Sequence, residues 1–189
     1  MTYNSTEVPE DDGWNLVANA YPGVVDWQVI YDDPSTQYVG PQIAVRDESA
    51  NGSFAYYDAS TGEELNGGSR NIAMGQSFWV QTISSSPILV LNESFKTTNS
   101  ATFLKSDKNT SKTMKIALSN ASQRDETSLN ITPEATSGYD PGLDFKKFNN
   151  DGFDLSTLTK ETKDVAINHI GIPDCSESIF LNVKDVTDG

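Results

Sequence analysis

Short apolar runs recur along this chain, each about the length of one β-strand, and none lengthens into a helix-period stripe. They fall at 14–18, 24–30, 43–45, 54–57, 78–83 and 88–91 in the first half, and at 114–118, 129–132, 165–170 and 179–183 in the second. Gly, Pro, Asn or Ser bounds each run, and these residues supply the backbone angles that reverse a chain. Met114, Ile116 and Leu118 alternate with Lys115 and Ala117; Ile179, Leu181 and Val183 alternate with Phe180, Asn182 and Lys184. A period of two places one set on a core face. Asn51-Gly52 and Asn66-Gly67-Gly68 offer the positive-φ positions of tight hairpins. Only 143–148 reads as a helical turn, opened by Asp140-Pro141. The expected fold is all-β: two antiparallel β-sandwich or jelly-roll-like units packed in tandem.

Composition places the boundaries. Residues 1–12 are polar and acidic and read as a disordered lead-in. Residues 13–96 make the first unit. The stretch 97–112 is Thr, Ser, Asn and Lys around Phe103-Leu104 and reads as a linker. Residues 113–189 make the second unit, expected to be truncated and to leave a sheet edge open to a partner strand. No fixed-period repeat relates the halves, which argues against a solenoid or propeller.

The 189 residues carry a formal net charge of −14. Phosphate binding needs a basic face, so nucleic acid is excluded as a partner. The acidity is uneven: residues 1–95 hold thirteen acidic and two basic side chains, and residues 96–189 hold fourteen and eleven. No run approaches the roughly 18 apolar residues of a membrane span. Met1-Thr2-Tyr3-Asn4 lacks the basic start and apolar core of a secretory leader, so if the parent is secreted the chain is expected to be a cut-out piece of it.

Few residues suggest chemistry. His169 is the only histidine and Cys175 the only cysteine. One of each falls short of a zinc site, and neither has a partner at a catalytic spacing. The 27 acidic residues include no pair singled out by spacing as a glycosidase acid and base. No catalytic residue is assigned and no cofactor is required. The best metal candidate is calcium at Asp140 and Asp144, which flank Pro141-Gly142-Leu143; the competing reading has Asp140 capping a turn and Asp144 facing water. Trp27, Trp79 and Tyr56 are the candidate sugar-stacking residues, weighed against core packing of the same rings.

The stretch Gly13-Trp14-Asn15-Leu16-Val17-Ala18-Asn19-Ala20-Tyr21-Pro22, with Asp26-Trp27, resembles the GWNLVGNPYPS…DW signature of large secreted and cell-surface proteins of the Bacteroidetes. In those proteins it opens a β-rich segment upstream of a type IX secretion sorting domain. Other pieces follow in the same order. Residues 68–80 resemble GGS…I..GQGFFV, with Ser77 at a usual glycine. Residues 115–127 resemble LRLKLSN…DET, residues 135–148 resemble NATNGFD…DAYKLF, and Val165-Ala166-Ile167-Asn168 resembles LAINGLP. The resemblance implies an extracellular or outer-membrane location and a non-catalytic structural or presentation module beside neighbouring domains. The alternative it leaves open is a carbohydrate-binding module, calcium-supported, of a polysaccharide-degrading enzyme or adhesin.

Overall fold

The computed structural model describes residues 1–5, 8–47, 52–99, 101, 113–173 and 178–185. Most of the expected linker, Asn51 and Cys175 lie outside that set. The chain is all-β and divides into two compact units. One comprises residues 1–45 and 55–109, the other residues 46–54 and 110–189.

The elements of the first part of the chain are β1 (Trp14–Ala18), β2 (Val24–Asp26), α1 (Trp27–Asp32), β3 (Val39–Asp47), β4 (Ser53–Asp58), β5 (Glu63–Leu65), β6 (Asn71–Ile72), β7 (Ser77–Thr82) and β8 (Lys96–Thr97). Five strands order as β1-β7-β3-β4-β5, and three as β6-β2-β8. The first unit's core draws on both sheets and the helix: Val25, Trp27, Ile30, Ile43, Ile72, Phe78, Val80 and Phe95 form one buried cluster. Asn66 (φ 51°) and Gly67 (φ 78°) make the expected positive-φ turn after β5.

Three features depart from the sequence reading. The run 24–30 is expected as one strand, but it stops at Asp26, whose carboxylate accepts the Gln28 N–H at 3.0 Å and caps α1. The run 88–91 forms only one bridge, Gln37 to Ile88, while Leu89, Val90 and Leu91 pack against the core. Described residues of the lead-in carry hydrogen bonds to later residues. Gly13 N donates to Asn4 O at 3.1 Å, and Thr2 O accepts from Asn15 Nδ2 and Thr82 Oγ1. Terminal segments stay ordered when their backbone groups find such partners.

The second unit contains β9 (Thr113–Ser119), β10 (Arg124–Ile131), β11 (Phe145–Lys146), β12 (Asp154–Leu158), β13 (Asp164–Ile170) and β14 (Leu181–Lys184). Their order is β14-β12-β13-β10-β9, with β11 also on β13. The β9–β10 hairpin turns at Asn120, whose Oδ1 accepts the Ser122 and Gln123 N–H groups. Pairing is antiparallel except between β10 and β13, which run parallel from Ser128↔Ile167 to Ile131↔Ile170. The expected helical turn at 143–148 sits earlier. Leu143 N and Asp144 N both donate to Asp140 O, and Phe145–Lys146 is already extended. The alternation at 179–183 does not bury a face, because β14 is an edge strand with Leu181 and Val183 nearly half exposed.

Candidate functional site

The Trp-rich opening stretch turns its polar groups inward. Gly13 has φ +71°, and a Cβ there would lie 2.0 Å from Thr82 O, so no other residue fits. The Trp14 indole N–H donates to Glu10 O at 2.8 Å. Asn19 is buried; its Nδ2 donates to Gly23 O, Ile72 O and Ala73 O at 2.8–3.2 Å, and its Oδ1 accepts from Tyr21 N. Tyr21 Oη donates to Leu91 O at 3.0 Å. Asp26, besides capping α1, receives a bidentate pair from Arg70 Nε and Nη2, both at 2.8 Å. These side chains close the crossing points between β1, β2 and β6, which is work for the fold.

The candidate sugar-stacking residues do not share an open face. Trp27 is fully buried, donates its indole N–H to Pro41 O at 2.7 Å, and meets Phe78 edge-on at 5.7 Å between centroids. Tyr56 is fully buried on β4 opposite Leu65. Stacking needs an accessible ring face, so neither ring can take a ligand. Trp27 belongs to the first unit's core cluster, and Tyr56 is equally inaccessible on β4. Trp79 is half-buried on β7, in register with Leu16 of β1 and Ala44 of β3.

Asp140 and Asp144 are close, but as turn-makers. Asp140 accepts from Thr136 N and Thr136 Oγ1 at 2.5 and 2.8 Å. Asp144, expected to face water, is instead fully buried and accepts from Asp140 N at 2.8 Å and His169 N at 2.7 Å. All four carboxylate oxygens therefore serve protein donors. Burial pushes the Asp144 carboxyl up to about 7, against the lowering effect of its two backbone hydrogen bonds. His169 is buried as well. Asn130 Nδ2 approaches its Nε2 at 3.3 Å, and Thr132 Oγ1 its Nδ1 at 2.8 Å. With the Asn130 amide placed by Thr113 Oγ1 on its Oδ1, Nε2 accepts and Nδ1–H donates to Thr132. Both ring nitrogens are engaged structurally. Among the described residues, no three His, Cys, Asp or Glu side chains gather as a metal site.

A second buried polar centre escaped the sequence reading. Lys147 Nζ lies 2.6 Å from Asp125 Oδ2 and 3.8 Å from Asp154 Oδ1, with all three residues buried. Asp125 Oδ2 also accepts Leu155 N, and Thr127 Oγ1 accepts Thr157 N while donating to the β13 carbonyls of Val165 and Ala166. Asp125 and Thr127 thus bridge β10 to β12 with side chains. Burial raises the Asp154 carboxyl above its ordinary value. One signal was available: Phe145 and Lys147 share parity in an extended segment, so the lysine follows the phenylalanine inward.

A concavity in the second unit lies at the β14 edge. It encloses about 610 Å³ and is lined by Leu158, Ile170, Ile179, Phe180 and Leu181, with Asn168 and several hydroxyl side chains. No protein-family model, curated protein or solved structure matches the chain.

Proposed function

We propose that this chain is a non-catalytic structural and presentation module of a larger secreted or surface-anchored bacterial protein, acting at the extracellular or outer-membrane surface. The inward hydrogen bonding of Gly13, Asn19, Asp26 and Trp27 carries the reading. The residues most characteristic of the resemblance stabilise the scaffold and leave no reactive group presented. His169 and Asp144, the best acid–base candidates, are likewise held by backbone and side-chain partners inside a sheet. A general base must reach a proton on a substrate, and both groups are buried.

The parent protein tests this directly. Protease treatment of intact cells should release fragments containing this segment, and its deletion should lower the amount of neighbouring domain displayed. The purified chain should turn over no polysaccharide, ester or peptide substrate. Hydrolysis of any of these, or an intracellular parent, would overturn the proposal. Carbohydrate binding stands as the second reading, favoured by the geometry of the β14 cleft.

A further inference from the structure

We propose that the buried Lys147–Asp125 pair condenses after folding into a side-chain amide, with Asp154 moving the protons, so that a covalent bond joins β10 to the segment following β11. This goes beyond the presentation role and does not depend on it.

Three observations converge on one place in the second unit. Lys147 Nζ lies 2.6 Å from Asp125 Oδ2, so the nucleophile and the carboxyl carbon are separated by little more than one hydrogen bond. Asp125 is 0% exposed, Asp154 3% and Lys147 4%, and buried Phe145, Phe153 and Leu155 flank them in sequence. The carboxyl group is a fixed target, because Glu126 N donates to Oδ1 at 2.9 Å and Leu155 N to Oδ2 at 2.7 Å. Asp154 completes the set, its Oδ1 3.8 Å from Nζ and held by Asn150 N at 2.9 Å.

Physical chemistry favours the step in such a site. Amine and carboxylate do not condense in water, where both are charged, solvated and far apart. A well-oriented intramolecular pair behaves as if its partner were present at about 10⁵ M or more. A buried ion pair also bears the desolvation cost of two charges, which a neutral amide removes. The released water has a surface to escape to, whereas the returning hydrolytic water must enter a closed core.

The atoms balance without an oxidant or cofactor. The Lys147 proton crosses to Asp125 Oδ2, leaving a neutral amine and a carboxylic acid. The Nζ lone pair attacks Cγ, and the displaced carbonyl pair rests on Oδ1, where the Glu126 N–H stabilises it. The Asp154 carboxylate takes one proton from Nζ and passes it to the Oδ2 hydroxyl. The Cγ–Oδ2 bond breaks, water leaves, and the Oδ1 pair re-forms the carbonyl. One N–C bond is made, one C–O bond is lost, and Asp154 ends as it began. Burial raises the Asp154 carboxyl, which suits a group that carries a proton in transit.

Mass spectrometry of the folded whole chain, incubated at neutral pH, reads the step directly. The expected intact mass is that of the sequence less one water, and proteolysis should yield a branched peptide joining Asp125 to Lys147. Lys147→Arg keeps the cation and should show the full mass. Asp154→Asn should slow the loss of water about 100-fold or more. A folded wild-type chain that keeps its full mass overturns the proposal, as does a water loss that digestion maps to other residues. Formation at the same rate in urea-unfolded chain would also overturn it, since the fold would then not assemble the reaction. A wild-type rate in Asp154→Asn would overturn the part given to that carboxyl.

Discussion

Buried side chains in the first unit are mostly hydrocarbon or aromatic: Trp27, Tyr56, Phe78, Ile30, Ile43, Leu65 and Ile72 fill it. In the second unit, polar residues outnumber apolar ones among the buried. Asp125, Thr127, Asn130, Asp144, Lys147, Asp154, Thr157 and His169 share the interior with Phe145, Phe153, Leu155 and Ile167. Two strategies for holding short strands are thus joined in one chain. Hydrocarbon burial is non-directional and tolerates small shifts. A buried polar network demands that each donor meet its acceptor, and leaves a large penalty when one partner is lost. The first unit should therefore be robust and the second brittle.

That contrast is testable, because Trp14, Trp27 and Trp79 are the chain's three tryptophans and all belong to the first unit. Tryptophan fluorescence then follows the first unit, and NMR signals of β10 and β13 follow the second. The largest effect is expected from Lys147→Met. It leaves Asp125 and Asp154 buried without their cation and should destabilise the second unit by about 3–5 kcal/mol. In urea, the β10 signals should be lost early while the fluorescence transition stays in place. Equal displacement of both would mean that the units unfold together, and the contrast would have no thermodynamic content.

Asn19→Ala is the matching experiment in the first unit. It strips donors from three carbonyls and should cost about 2–3 kcal/mol, moving the fluorescence transition instead. A change below about 0.5 kcal/mol, the range typical of surface substitutions, would show that the Asn19 junction is dispensable.

Acidity should act on the second unit in an unusual direction through Asp144. The folded-state value of Asp144 is raised, so the fold binds its proton more tightly than the unfolded chain does. The stability it contributes is fully present below the ordinary carboxylate value near 3.8 and is lost as pH rises through about 7. Within that window the slope approaches about 1.4 kcal/mol per pH unit. Urea midpoints of the β13 signals, measured from pH 4 to 8, read the slope; Asp144→Asn should flatten it. A midpoint that climbs through the window would contradict the burial of this carboxyl.

Asp164 gives the smallest and opposite effect. Burial acts upward on its carboxyl, but hydrogen bonds from Lys184, Ser156 and Asn182 outweigh it and hold the group below its ordinary value. Its contribution is present above the unfolded value and is lost as pH falls through the lower, folded one. Asp164→Asn should loosen β14 selectively, seen as faster amide exchange at Leu181 and Val183 with β13 unchanged.

The strands of the first unit were largely legible because aromatic and β-branched residues mark them: 14–18 and 78–83 coincide closely with β1 and β7. The helix α1 was not, since Val-Val-Asp-Trp-Gln-Val-Ile carries a strand's composition and only the reach of the Asp26 carboxylate decides the switch. In the second unit the strands at 114–118 and 165–170 were visible, but the interior was not. Pattern reading assigns Asp and Lys to solvent, so Asp125 and Asp144 were invisible as buried groups, and only its parity with Phe145 marked Lys147. The candidate site suffered most. Ring composition drew attention to Trp27 and Tyr56, both interior.

The parallel pairing of β10 with β13 also fixes an order of events. The β9–β10 hairpin can form from neighbouring residues, but β10's other edge waits for a segment more than thirty positions downstream. Loop closure of that length must precede any reward from the new contacts, which slows assembly. A ribosome emitting this chain would therefore release a settled first unit well before Asp125 and Thr127 meet their β12 partners, and that interval is when the second unit most needs protection from misassociation.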